Sequence, residues 1–120
     1  MKLIRCSTND MSYALEAIRV VKHEGDNNKL ELLTDECMTN FLSNPDNYLI
    51  IAIDDNIVAG FVVAYELQRV DRNQKLMFLY EIGVLKTHRK KGIGTVLMNL
   101  EKSNHKYLCM ASIIFLYYMK

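Results

Sequence analysis

The sequence has no tryptophan, a single proline (Pro45) and only five glycines. So little proline and glycine excludes a collagen-like repeat, a proline-rich linker and a disordered low-complexity coil. Cysteine is equally sparse. Cys6, Cys37 and Cys109 are odd in number, and no pair of them has C-x-x-C spacing. The start, MKLIRCSTND, has basic residues but no apolar region behind them and so does not read as a secretory signal. The cysteines are therefore read as reduced, cytosolic thiols, with no ligand pattern for a structural zinc. Long apolar runs are missing too. The longest, Tyr107 to Met119, spans 13 residues and includes Ser112, against the roughly 20 a membrane helix needs. The expectation is a soluble, cytoplasmic chain with no metal and no membrane partner.

What the sequence does have is material for a core. Half of the 120 residues are apolar and 24% are charged, which suits one domain over 1–120 and not two. The formal net charge of +1 conceals a division. Residues 1–66 carry 11 acidic and 5 basic side chains, and residues 67–120 carry 3 acidic and 10 basic. Either these are ordinary solvated faces, or one half meets an anion and the other draws a cation.

Apolar spacing orders the elements. Lys2 to Cys6 reads as a first strand. Asn9 or Asp10 stands where it would cap a helix with Met11, Ala14, Leu15, Ile18 and Val21 on one face, stopped by Gly25-Asp26-Asn27-Asn28. A second helix is predicted from Thr34 to Leu42, with Cys37, Met38, Phe41 and Leu42 inward. Tyr48 to Asp54 and Ile57 to Leu67 are β-branched runs joined by Asp55-Asn56, a hairpin signal. Leu76 to Leu85 is apolar at both parities and reads as a central strand covered on both faces. A helix from Gly92 to Lys106, with Ile93, Val96, Leu97 and Leu100 inward, and a last strand over Ser112 to Tyr118 complete the chain. The order β-α-α-β-β-β-α-β describes an α/β sandwich around a mixed, mostly antiparallel sheet.

One segment carries chemistry. In YEIGVLKTHRKKGIGT, residues 80–95, a buried strand runs through a basic turn into a helix that opens on two glycines. The first helical turn leaves N–H groups without partners at the positive end of the dipole. Glycine at 92 and 94 lets a phosphate approach them, Arg89, Lys90 and Lys91 add charge, and the Thr95 hydroxyl supplies another donor. The same residues would also make an ordinary solvated turn or a nucleic-acid patch. Neither the GxGxxG nor the Walker A spacing is present.

Arg89-Lys90-Lys91-Gly92-Ile93-Gly94 resembles the acyl-CoA-binding motif Gln/Arg-x-x-Gly-x-Gly/Ala of the GNAT superfamily of N-acetyltransferases. The block from Tyr48 to Asn104, with VAGFVVAYEL and LYEIGVLKTHRKKGIGTVLMNL, is similar in particular to aminoglycoside 3-N-acetyltransferases. The resemblance implies acetyl-CoA as co-substrate, no metal, and a primary amine of a small cationic acceptor, with aminoglycosides among the candidates. It implies a diphosphate on the amides of Arg89 to Thr95, including Ile93, and an acyl arm paired with the backbone of Ile82 and Val84. Gly83 is suited to the strand bulge such enzymes carry. Lys86, Arg89, Lys90 or Lys91 would meet the remaining phosphate.

Glu81 is the candidate base. It is the only acidic residue between Asp71 and Glu101 and interrupts an otherwise apolar strand, where a purposeless carboxylate is costly. The alternative is a structural salt bridge at the sheet end, and Glu66 is the reserve candidate. His23, His88 and His105 read as surface residues, and the seven Met as core filler.

Members of this superfamily usually continue with another helix and two strands, so the chain is expected to be C-terminally short. That part carries the tyrosine that protonates the departing thiolate, a role Tyr117 and Tyr118 do not inherit. The expected consequence is an exposed apolar edge at Ile113 to Leu116, a route to a homodimer. Two other readings stand beside the enzyme: a truncated, non-catalytic CoA-binding or interaction module, and a nucleic-acid binder using Lys86 to Lys91.

Overall fold

A computed structural model describes residues 1–24, 26, 28, 32–104 and 108–110, with 99–104 and 108–110 described by their backbone. Among the described residues, five strands form one sheet in chain order: β1 (Lys2–Arg5), β2 (Asn47–Asp54), β3 (Ile57–Gln68), β4 (Lys75–Val84) and β5 (Leu108–Met110). The first four pair antiparallel and β5 joins β4 parallel. The β2–β3 hairpin closes through Asp55 (φ 52°) and Asn56 (φ 64°), two left-handed residues whose twist matches the strands they join.

Helix α1 (Met11–Glu16) follows the 3-10 turn Thr8–Asp10 and widens into a π-helical segment, Ala17–Lys22. Asp10 is the N-cap residue of α1, as expected, but makes no side-chain cap bond to it; the bonded cap is Ser7, one turn earlier, at the start of the 3-10 turn. The Ser7 hydroxyl accepts from Asn9 N at 3.2 Å, and the Asp10 carboxylate accepts from Ser7 N at 2.9 Å. Helix α2 (Asp35–Ser43) starts as expected, with Thr34 Oγ1 accepting from Cys37 N at 3.0 Å. Helix α3 spans Ile93–Asn104.

The sheet separates two cores. Leu49, Ile51 and Phe61 pack with Ala14, Ala17 and Met38 on the α1–α2 side. Ile50, Val62 and Leu79 pack with Ile93 and Leu97 on the α3 side. Each fully buried Leu, Ile or Phe stabilises the fold by about 1.5–3 kcal/mol. Two residues predicted to face inward do not. Cys37 is exposed, and so is Val96, while Ile93 and Leu97 pack on the sheet and the side chain of Leu100 lies outside the described residues. The strand predicted over Ser112 to Tyr118, and the edge at Ile113 to Leu116, lie outside the described residues. No described helix is long and apolar enough to cross a membrane.

Candidate active site

The β3–β4 ladder runs in register from Gly60–Val84 to Val63–Glu81 and then slips. Ala64 faces Leu79, which leaves Tyr80 as an extra residue in β4. Side chains alternate between the faces of a strand, so one extra residue resets the parity. Leu79 and Ile82 both lie in the α3-side core, while Tyr80 and Glu81 both line a pocket on the α1–α2 side. Without the bulge, Glu81 would share the face of Leu79 and sit in an apolar core. The bulge is therefore at Tyr80 and not at Gly83. Gly83 pairs in register with Phe61, and a Cβ there would lie 2.4 Å from Phe61 Cε1.

Glu81 is 3% exposed, and its Oε1 accepts from Lys22 Nζ at 2.5 Å. Lys22 reaches it from the last residue of the π-helical segment, a geometry that often marks functional sites. The pocket above the pair holds about 220 Å³. Ile18, Phe41, Tyr65 and Tyr80 line it. Tyr65 stands edge-on to Tyr80 (centroids 5.6 Å apart, 73°) and to Phe41 (5.9 Å, 76°). Burial, then Tyr80 and then Glu81, push the Tyr65 phenol above its ordinary pKa, so it is a neutral hydroxyl at physiological pH. Glu66 is not in this pocket. It follows Tyr65 in β3 and so faces the other side, where it accepts a short hydrogen bond from the hydroxyl of Tyr48, a residue of the α3-side core.

Strand β5 pairs with β4 only at Met77, Phe78 and Leu79. Among the described residues, the stretch from Tyr80 to Val84 has no strand partner on that side, beside Glu81. The turn Lys86–His88 is tied down by His88 Nε2, 3.3 Å from Asp54 Oδ2. Arg89 folds back: its Nε donates to Val84 O at 3.1 Å and its Nη2 to Glu24 at 3.2 Å. Its side chain braces the strand end, and only its backbone joins the turn beyond.

Lys90 (φ 64°) and Gly92 (φ 83°) adopt left-handed backbone before Val96 N bonds Gly92 O at 3.0 Å to start the helix. Among the described residues no backbone acceptor meets the N–H groups of Lys90, Gly92, Ile93, Gly94 or Thr95. A Cβ at Gly92 would meet nothing within 4 Å, so there is open space beside Gly92 itself. Lys86, Lys90 and Lys91 are exposed and make no ion pair among the described residues. A diphosphate fits this cradle of unpartnered amides, helix dipole and free ammonium groups. No cluster of three His, Cys, Asp or Glu among the described residues is placed to hold a metal ion.

Sequence reasoning grouped Glu81 with the cradle and missed Lys22, Tyr65 and Tyr80. For Lys22 a signal existed: it lies four residues after Ile18, on the same helical face.

The sequence profile of the acetyltransferase (GNAT) family matches residues 13–103. Compared with curated proteins, the chain matches none. Among solved structures, it is similar to an aminoglycoside acetyltransferase from an uncultured soil metagenomic sample, in complex with sisomicin. The TM-score is 0.81 at 18% identity, over 91% of this chain and 75% of that one. It is also similar to a ribosomal-protein-alanine N-acetyltransferase from Brucella melitensis (TM-score 0.70, 17% identity, 88% and 71% covered). An aminoglycoside 6′-N-acetyltransferase from Acinetobacter haemolyticus matches with a TM-score of 0.66 at 19% identity, over 92% and 78%. These likenesses speak to the fold and do not single out the 3-N type that the sequence resembled. With the profile running from α1 through α3, the bulged β4 and the glycine turn included, the chain belongs to the acetyltransferase (GNAT) family.

Proposed function

We propose that the chain is an acetyl-CoA-dependent N-acetyltransferase that acylates a primary amine of a small cationic acceptor. One observation carries this reading: the bulge at Tyr80 turns Glu81 into a pocket beside the stretch of β4 that leads into the amide cradle. Acetyl-CoA, when bound, supplies a thioester carbonyl activated for attack. The N–H groups from Lys90 to Thr95, with Lys86, Lys90 and Lys91, hold its phosphates. The backbone at Ile82 and Val84, flanking Gly83, pairs with its amide arm. A backbone N–H near Val84 polarises the carbonyl.

The acceptor arrives as an ammonium, with an ordinary pKa of about 10. It takes the place of Lys22 on Glu81, loses a proton to that carboxylate, and attacks as the free amine. The new C–N bond forms as the C–S bond breaks, and the departing thiolate is protonated from the site or from solvent. Such an enzyme belongs in the cytoplasm, where acetyl-CoA is available. The acceptors named for the similar structures share an acylable nitrogen and little else. An aminoglycoside acceptor would make the chain an antibiotic-resistance enzyme.

One observation favours a second reading, a non-catalytic CoA-binding or interaction module: Glu81 already has a partner in Lys22. Acetyl-CoA calorimetry and thiol release with a panel of primary amines separate the two. The transferase binds acetyl-CoA and releases thiol only with an amine present. Binding without thiol release from any amine would select the module.

A further inference from the structure

The pocket around Glu81 is unlike a site for a polyhydroxylated polycation. Its described lining holds two charged side chains, Lys22 and Glu81, which neutralise each other at 2.5 Å. Apart from the Cys37 thiol, the remaining described walls are aliphatic and aromatic: Ile18, Met38, Phe41 and Leu49 stand with Tyr65 and Tyr80. A second ammonium group would find no second carboxylate among these residues, and Lys22 would repel it. Hydroxyl groups facing Ile18, Phe41 or Leu49 would lose hydrogen bonds to water and gain none, which opposes binding. The volume of about 220 Å³ is below the range of roughly 300–1,000 Å³ usual for drug-sized ligands.

We infer that the acceptor is a primary monoamine with a compact apolar or aromatic body, seated among Ile18, Phe41, Tyr65 and Tyr80, its ammonium on Glu81. The paired rings present both edges and faces to such a body, and the edge-to-face geometry of Phe41, Tyr65 and Tyr80 extends to one more ring. An ammonium above tyrosine faces gains further from the ring quadrupoles. A single positive charge is what one carboxylate can take once Lys22 is displaced. The inference rests on the transferase reading for the fate of the amine, and on the pocket alone for which amine binds.

The test is a calorimetric titration of the full chain with 2-phenylethylamine and with sisomicin, with thiol release from acetyl-CoA followed in parallel. The expected result is at least tenfold tighter binding of 2-phenylethylamine, weakened about tenfold in Phe41→Ser and retained in Phe41→Leu. Nuclear Overhauser contacts between the probe's ring protons and those of Tyr65 and Tyr80 in the unmodified chain give the same answer should a variant fail to fold. Tighter binding of sisomicin, or binding of neither amine, overturns the inference. Binding of 2-phenylethylamine without thiol release supports the pocket's preference and overturns the transferase. Turnover of sisomicin without binding of 2-phenylethylamine does the reverse.

Discussion

Cys6 and Cys37 are chemically identical and differ in what surrounds them. Cys6 is 5% exposed, and burial, followed by the nearby Asp10 charge, pushes its thiol from 9.0 up to about 12. Cys37 is exposed at the start of α2. Because the thiolate is the reactive form, iodoacetamide at pH 8.5 should label Cys37 in the native chain and leave Cys6 intact by peptide mass. Equal labelling would contradict the buried placement. The folded pKa of Cys6 lies above its unfolded value, so the protonated thiol favours the fold. That contribution is complete below about pH 9 and is lost as pH rises toward 12. The thermal midpoint should fall across that window, and less steeply in Cys6→Ala. Lys22 matters for a different reason. It stands where the acceptor's ammonium is proposed to go, so Lys22→Met should lower the acceptor's KM about fivefold, the equivalent of about 1 kcal/mol. Lys22→Arg keeps the pair and should leave KM near that of the unmodified chain. A raised KM in Lys22→Met would mean that Lys22 helps to hold the acceptor.

At the scale of elements, β4 and the turn after it decide what the site can do. Gly83 has no space for a side chain against Phe61, itself fully buried, so Gly83→Ala should destabilise the fold by about 1–3 kcal/mol through overpacking. Chemical denaturation measures this, and an unchanged midpoint would mean that Phe61 moves aside freely. Gly92 is the opposite case, with open space but left-handed backbone. Gly92→Ala should cost about 1 kcal/mol in stability and weaken acetyl-CoA binding by partly filling the approach to the amides. The hairpin at Asp55-Asn56 and the two-sided burial of β4 were legible in the sequence because both are local patterns. The bulge at Tyr80 was not. A parity change shows only against an alternating background, and β4 is apolar at both parities, so only its pairing with β3 exposes the extra residue. The cap at Ser7 was missed because a 3-10 turn separates it from the apolar stripe that marks the helix.

For the whole molecule, the uneven charge of the two halves becomes contact between them. Glu24 and Asp46 of the acidic half meet Arg89 and Lys75 of the basic half, and Lys22 crosses the other way to Glu81. Exposed pairs are weak on their own, so the larger effect of Glu24–Arg89 and of the Asp54–His88 contact is to fix the basic turn against the chain after the π-helical segment and the β2–β3 hairpin. The Lys22–Glu81 pair joins residues 59 positions apart. No spacing rule reaches that far, which is why the cradle was legible as one segment and the pocket beside it was not. Among the described residues that line the pocket, Glu81 is the one carboxylate, and Lys22 matches it.

The central claim is that Glu81 serves the transfer of an acetyl group and the cradle serves the binding of its donor. The most direct test compares Glu81→Gln with the unmodified chain, measuring acetyl-CoA affinity and amine-dependent thiol release on the same samples. The account predicts affinity within about twofold and release slowed about 10²- to 10⁴-fold. Equal rates of release in both proteins would contradict it.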